Sequence, residues 1–150
     1  MNTPLDRAFN TAVLHIASRL MPTGYDVAPI APSSLDSLRC HVAATGRILV
    51  WSGESDRTIF ADPEVNWAFR AWHDWCHLTH GLEFTTQDEV KVALVQMGHI
   101  RTLYGHDKRA DRFCALIDAE VIGQIVYQQQ HGEFPHDQMT FTREYLGLPA

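Results

Sequence analysis

The chain has 150 residues, of which 45% are hydrophobic and 20% charged, and its 12 basic and 18 acidic residues give a formal net charge of −6. A chain of this length can bury one ordinary core, which predicts a single domain spanning 1–150. The acidic balance disfavours binding to nucleic acid, and no apolar run reaches the roughly 18 residues of a membrane span. The first residues lack the basic start and apolar segment of a signal peptide, which predicts a cytoplasmic protein.

The cysteines do not form a pattern typical of a disulfide framework. Cys40, Cys76 and Cys114 are far apart in the sequence and odd in number. We therefore expect them to be reduced and to pack as small hydrophobic side chains.

A first helix is predicted near the N-terminus, where Thr3, Pro4 and Asp6 provide start signals and apolar residues then recur at helical spacing. Residues 22–32 contain three prolines and a glycine, so they are predicted to be an irregular connection. Neither flank of this connection could bury a core alone, which argues against a domain boundary there.

A short second helix and a hairpin follow. Ser33 or Ser34 caps the helix, and Gly46 ends it. Residues 47–51 and 57–60 are short runs rich in β-branched and aromatic side chains, separated by a segment with strong turn signals. They are predicted to pair as one β-hairpin that packs on the helices or offers an edge to a partner.

The third helix has the clearest boundaries. Asp62 is a good N-cap, Pro63 suits the first helical position, and Glu64 complements the helix dipole. Gly81 supplies the C-terminal stop, so the predicted helix runs from Pro63 to about His80.

Three more helices are predicted after Gly81. Thr86 and Glu89 form a capping box for a helix that ends near Gly105. A long helix spans about 108–131, and a short terminal helix follows Asp137. The predicted fold class is therefore mainly α, a helical bundle of about five to six helices with one short β-hairpin.

The most informative motif is His-Asp-Trp-Cys-His at 73–77, followed by His80. On a helix, His73 and His77 lie one turn apart with Cβ atoms about 5–6 Å from each other, close enough for two imidazoles to share one ion. The pair therefore predicts a metal site. The alternative is a packed helix in which these histidines belong to a hydrogen-bonded core network.

A carboxylate from the long helix could complete such a site. This helix is apolar nearly all the way round, so Glu120 and Asp118 are both expected to be buried. A buried carboxylate needs a cation, hydrogen-bond donors or protonation, and Arg70 is the ordinary candidate for an ion pair. We favour Glu120 over Asp118 as the third metal ligand, because Gln124 lies one turn further along and can orient its carboxylate.

The predicted chemistry is metal-dependent hydrolysis. Zinc, iron and manganese all suit two histidines and one carboxylate, and a bound divalent ion can lower the pKa of water to about 7. Asp74 is a candidate to orient that water or a ligand histidine. His80 and Arg70 are candidates to stabilise developing negative charge. Nothing in the sequence selects a substrate.

The motif of His73, Asp74 and His77 with a distant glutamate resembles the zincin metallopeptidases. That resemblance implies two helical histidines and a later glutamate on zinc, with the acid after the first histidine as general base. Asp74 stands where that family has glutamate, which is one methylene longer. The same ligand set is similar to the facial triad of non-haem iron oxygenases.

A second likeness is to the HD phosphohydrolases, whose metal ligands are an isolated histidine, a His-Asp dyad and a later aspartate. The matching positions here are His41, the dyad of His73 and Asp74, and Asp118, all on predicted helices. This resemblance implies a helical phosphohydrolase with that ligand set.

The segments 50–53, 68–74 and 119–124 also resemble a group of short, uncharacterised proteins of bacteria and their phages. That resemblance implies no activity, and it leaves a non-enzymatic alternative, an inhibitor-like protein that docks on a host protein. The acidic balance, the predicted hairpin edge and an aromatic tail with Phe134, Phe141 and Tyr145 favour this alternative.

Overall fold

The computed structural model describes residues 3–149, and this part of the chain is mainly helical, as predicted. It contains six helices and two short strands. None of the described helices combines the length and the apolar content needed to cross a membrane. The elements in chain order are α1 (Arg7–Leu20), β1 (Asp26–Ala28), α2 (Leu35–Thr45), β2 (Leu49–Trp51), α3 (Pro63–His80), α4 (Thr86–Tyr104), α5 (108–131) and α6 (Gln138–Tyr145).

The chain divides into two compact units. The first unit is Met1–Phe84 and carries α1, β1, α2, β2 and α3. The second unit is Thr85–Ala150 and carries α4, α5 and α6. The single domain expected from the length stays a prediction.

The core of the first unit is an aromatic cluster between α1 and α3. The ring of Phe60 lies 5.9 Å from Phe9 of α1 and 5.4 Å from Phe69 of α3, measured between centroids. Trp72, one turn further along α3, meets Phe69 edge-on at 5.7 Å and is fully buried. Burial of each such side chain stabilises the fold by roughly 1.5–3 kcal/mol, so this cluster holds α3 in place.

The predicted hairpin is wrong, although one of its strands is present. Strand β2 pairs in parallel with β1, with Asp26 opposite Leu49 and Ala28 opposite Trp51. Strand β1 comes from the segment predicted to be irregular, and α2 connects the two strands. Residues 57–60 form no strand, and Ile59 and Phe60 turn inward and are buried. Their apolar character therefore serves the core rather than a hairpin.

Arg47 explains why β1 lies beside β2. Its Nε donates to the Asp26 carboxylate at 3.0 Å and its Nη2 to the carbonyl of Tyr25 at 2.9 Å, and its Nη1 donates to the carbonyl of Thr23. The guanidinium of Arg47, two residues before β2, thus fixes the segment that leads into β1. This long-range contact has no signature in local sequence.

Helix ends in the first unit follow the predicted signals. The Asp62 carboxylate accepts from the amide of Glu64 at 2.9 Å, and the Ser34 hydroxyl caps α2. Gly46 and Gly81 end α2 and α3 in the left-handed conformation, with φ of 75° and 63°. The predicted bounds of α3 are therefore confirmed.

In the second unit the predicted cap of α4 is displaced by one residue. The N-cap is Thr85, whose hydroxyl accepts from the amide of Asp88 at 3.2 Å. Asp88 therefore occupies the position that the capping-box prediction gave to Glu89. The capping roles predicted for Thr86 and Glu89 are wrong.

The long helix α5 is continuous, as predicted, but its middle is not α-helical. Residues Asp118–Gly123 form a π-helical segment between the α-helical parts Lys108–Ile117 and Gln124–His131. The end of α6 packs closely there, since a Cβ built on Gly123 would lie 3.0 Å from the Tyr145 ring. Such π segments are rare and are often found at functional sites.

Candidate metal centre

The two histidines of the motif face each other on α3. The Nε2 atoms of His73 and His77 are 3.1 Å apart, and their rings meet nearly edge-on with centroids 4.8 Å apart. Two nitrogens bound to one tetrahedral zinc ion at about 2.0–2.1 Å lie roughly 3.3 Å from each other. The observed separation suits one shared ion as well as an N–H···N hydrogen bond.

The far nitrogen of His77 is also fixed. His77 is buried, and its Nδ1 lies 2.8 Å from the carbonyl oxygen of Leu82. A carbonyl can only accept, so Nδ1 must carry the proton and donate it, which leaves the Nε2 lone pair of the neutral ring directed at His73. The ring of Phe84 packs against the imidazole with centroids 4.5 Å apart. His77 is therefore oriented for coordination through Nε2.

Glu89, to which the sequence analysis gave a capping role, is half-buried in the first turn of α4, in the second unit.

Glu120, the predicted third ligand, lies in the π segment of α5, in the second unit. One of its carboxylate oxygens accepts from the Thr142 hydroxyl and the other from the Gln124 side-chain amide, each at 3.1 Å. The prediction that Gln124 orients this carboxylate is confirmed. The contribution of Thr142 was missed, because a donor from another helix leaves no trace in the sequence of α5.

Asp118, the alternative carboxylate, accepts a hydrogen bond of 3.3 Å from the hydroxyl of Tyr145. Burial raises the pKa of Tyr145, and the charge of Asp118 and this hydrogen bond raise it further. Asp118 thus helps to anchor the end of α6.

Arg70 anchors a loop. Its Nη1 donates to the carbonyls of Trp51 and Gly53 at 2.6 Å each, and its Nη2 donates to the carbonyl of Glu54 at 3.2 Å. The guanidinium also lies over the Trp51 ring, 5.3 Å from its centroid. These contacts explain why α3 needs an arginine here, and they do not direct it to the histidine pair.

Asp74 and His80, the other predicted catalytic residues, flank the histidine pair on α3. Asp74 is half-buried, and its charge adds to burial in raising the pKa of Cys76 to about 12. His80 is exposed in the last turn of the helix.

The residues of the HD-type resemblance are divided between the two units. His41 is half-buried on α2, and its Nε2 has no hydrogen-bond partner among the described residues. The dyad of His73 and Asp74 lies on α3 of the same unit, and Asp118 lies on α5 of the second unit. This ligand set therefore stays a prediction.

Comparison with known proteins yields no match: no family model, no curated protein and no solved structure is similar to this chain. The likenesses to zincin-type, HD-type and short bacterial or phage proteins therefore stay predictions. The function has to be argued from the histidine pair of α3 and the residues around it.

Proposed function

We propose that this protein binds one divalent metal ion through His73 and His77, with one carboxylate as the third ligand, and uses the ion for hydrolysis. The observation that carries the proposal is the 3.1 Å separation of the two Nε2 atoms. Two ring nitrogens brought this close must hold either a proton or a cation between them. In the neutral rings a single N–H can satisfy this contact, so the metal competes with that one hydrogen bond.

Ligand chemistry limits the choice of ion. Two imidazoles and one carboxylate suit zinc, iron or manganese, and they are poor ligands for calcium or magnesium, which prefer oxygen. The orientation of His77 through Leu82 is of the kind that metal-ligating histidines use. We take zinc as the reference ion, since a pair of helical histidines one turn apart is a common zinc-binding arrangement.

Hydrolysis is the reaction class that this ligand set favours. Three protein ligands leave a coordination position open, and a divalent ion there can lower the pKa of a bound water to about 7. Asp74 and His80 remain the candidates to orient water or to stabilise negative charge, because both lie within one turn of a ligand. Arg70 is omitted from this proposal, because its guanidinium donates to three loop carbonyls.

The test is the metal content and zinc affinity of untagged protein. We expect about one ion per chain by elemental analysis, and complete loss of the high-affinity site in a His73→Ala/His77→Ala variant. His15→Ala is the matched control, since His15 is exposed on α1. Stoichiometric zinc on the double variant would eliminate this site.

A second candidate function, non-enzymatic binding of another protein, is favoured by exposed aromatic side chains in the second unit. Phe134 and Tyr145 are 48% and 44% exposed, and aromatic residues are enriched in the centre of protein interfaces. In that case the two histidines form a metal-free hydrogen bond within the core. Metal-free protein whose melting temperature is unchanged by zinc or chelator would favour this function.

A further inference from the structure

We infer that the C-terminal cap of α3 sets the metal affinity of this site by holding His77 in its coordinating orientation. The inference rests on the proposed function. It assigns positioning roles to Gly81, Leu82 and Phe84, none of which is a ligand.

His77 and Leu82 are joined by two hydrogen bonds that run in opposite directions. The backbone amide of Leu82 donates to the carbonyl of His77 at 3.0 Å, and the ring Nδ1 of His77 lies 2.8 Å from the carbonyl of Leu82. The main chain and the side chain of one residue are thus tied to the same partner. The imidazole cannot rotate unless the backbone at Leu82 moves.

Gly81 makes this arrangement possible. It ends α3 with φ of 63°, and its own amide also donates to the carbonyl of His77. In this left-handed conformation a residue with a Cβ is strained by roughly 1–2 kcal/mol, whereas glycine and, to a lesser extent, asparagine adopt it readily. An added Cβ would meet only Arg39 Nη2, at 3.5 Å, so a substitution acts through the backbone rather than through a clash.

Phe84 encloses the other side of the ring. Its aromatic ring lies 4.5 Å from the imidazole of His77 and at 54° to it. Groups around a metal ligand that fix its orientation and tautomer typically change metal affinity by about 10–100-fold when removed. Because coupling is reciprocal, an ion on Nε2 should in turn stabilise the turn from Gly81 to Phe84.

The experiment compares zinc affinity in two glycine variants of matched geometry. Gly46 ends α2 in the same unit with φ of 75°, donates to the carbonyl of Val42, and has no atom within 4 Å of an added Cβ. Gly81→Ala and Gly46→Ala should therefore cost similar stability. We expect Gly81→Ala to weaken zinc binding about tenfold, Gly46→Ala to leave it unchanged, and Gly81→Asn to restore most of it.

A second readout does not depend on metal. Nitrogen-15 NMR of the metal-free protein should show His77 protonated at Nδ1, and the same ring in Gly81→Ala should lose that preference. Phe84→Ala tests the other support and should also weaken zinc binding, while Phe84→Leu, which keeps an apolar cover, should weaken it less. This pair keeps the inference testable if Gly81→Ala does not fold.

The outcomes separate the two proposals. Zinc binding that is equal in Gly81→Ala, Phe84→Ala and the wild type would overturn this inference and leave the proposed function intact. Protonation of His77 at Nε2 in the metal-free wild type would also overturn it. Failure of the wild type to bind zinc at all would overturn the proposed function itself.

Discussion

The histidine pair of α3, in which His77 is buried and His73 half-buried, and the buried carboxylate of Glu120 in α5 are held in different ways. Glu120 accepts from two side-chain donors of its own unit, Thr142 and Gln124. His73 and His77 instead direct ring nitrogens at each other at 3.1 Å. A carboxylate with matched donors needs no ion, whereas two imidazole nitrogens that face each other form a position that a cation can take.

The largest expected effect concerns the histidine pair. Zinc at about 1,000 times its dissociation constant should stabilise the native state by about 4 kcal/mol, which raises the melting temperature by roughly 8–16 °C for a chain of this size. Differential scanning fluorimetry with zinc and then with excess chelator measures this shift. The His73→Ala/His77→Ala variant should show no shift in melting temperature. A shift of full size in that variant would show that the histidine pair does not bind the zinc.

A smaller effect is expected at Glu120. Glu120→Ala leaves the Thr142 hydroxyl without this acceptor and the Gln124 amide with only its long hydrogen bond of 3.5 Å to Gln138, so the free energy of unfolding should fall by about 2–3 kcal/mol while zinc affinity is unchanged. Urea unfolding and zinc titration of the same samples measure the two quantities. Thr142→Val should cost about 1 kcal/mol, with Thr142→Ser as the control that keeps the hydroxyl. If Glu120→Ala abolished zinc binding, Glu120 would be a ligand after all.

The smallest effect concerns the thiols. Burial, with a contribution from Asp74, raises the pKa of Cys76 from 9.0 to about 12. Below pH 9 the thiol is protonated in folded and unfolded chains alike, and as the pH rises towards 12 the unfolded chain loses its proton first. The free energy of unfolding should therefore fall over that window, and Cys76→Ala should flatten the fall.

Alkylation with iodoacetamide provides a direct check on the same thiols. Cys40 is exposed and should react first, whereas Cys76 is fully buried and should react last. Cys114 of α5 is slightly more accessible than Cys76 and should lie between them. A Cys76 that reacts as fast as Cys40 at pH 8 would show that α3 is not held in the core.

Local chemistry predicted the helices well and the long-range pairings poorly. The bounds of α3 follow from Asp62, Pro63 and Gly81, since a cap, a first-turn proline and a left-handed glycine act within a few residues. Strand β1, the partner of β2, was missed because three residues are too few to show a periodicity. Its position is fixed by Arg47, which is distant from β1 in the sequence. The hairpin prediction failed because the apolar run at 57–60 is equally suited to a core.

The histidine pair of the candidate site could be predicted because, like the helix ends, it depends on residues close together in the sequence. His73 and His77 share one helix, so their spacing alone places them together. The choice of carboxylate depends on tertiary structure, and the π segment adds a further difficulty. A helical wheel of 3.6 residues per turn does not carry through Asp118–Gly123, because its hydrogen bonds span five residues instead of four. The face of α5 on which the Glu120 side chain lies could therefore not be predicted to better than part of a helical turn.

The π segment also has a consequence for how the length of this chain can vary. A π turn holds about one residue more than an α turn, so loss of one residue within 118–123 would let α5 close as an ordinary α-helix. Phe113 before the segment and Tyr127 after it would keep their helical faces. Such a deletion would change the direction of Glu120 and the contacts of Asp118 and Gly123 with Tyr145, while the helical parts on either side of the segment could keep their packing.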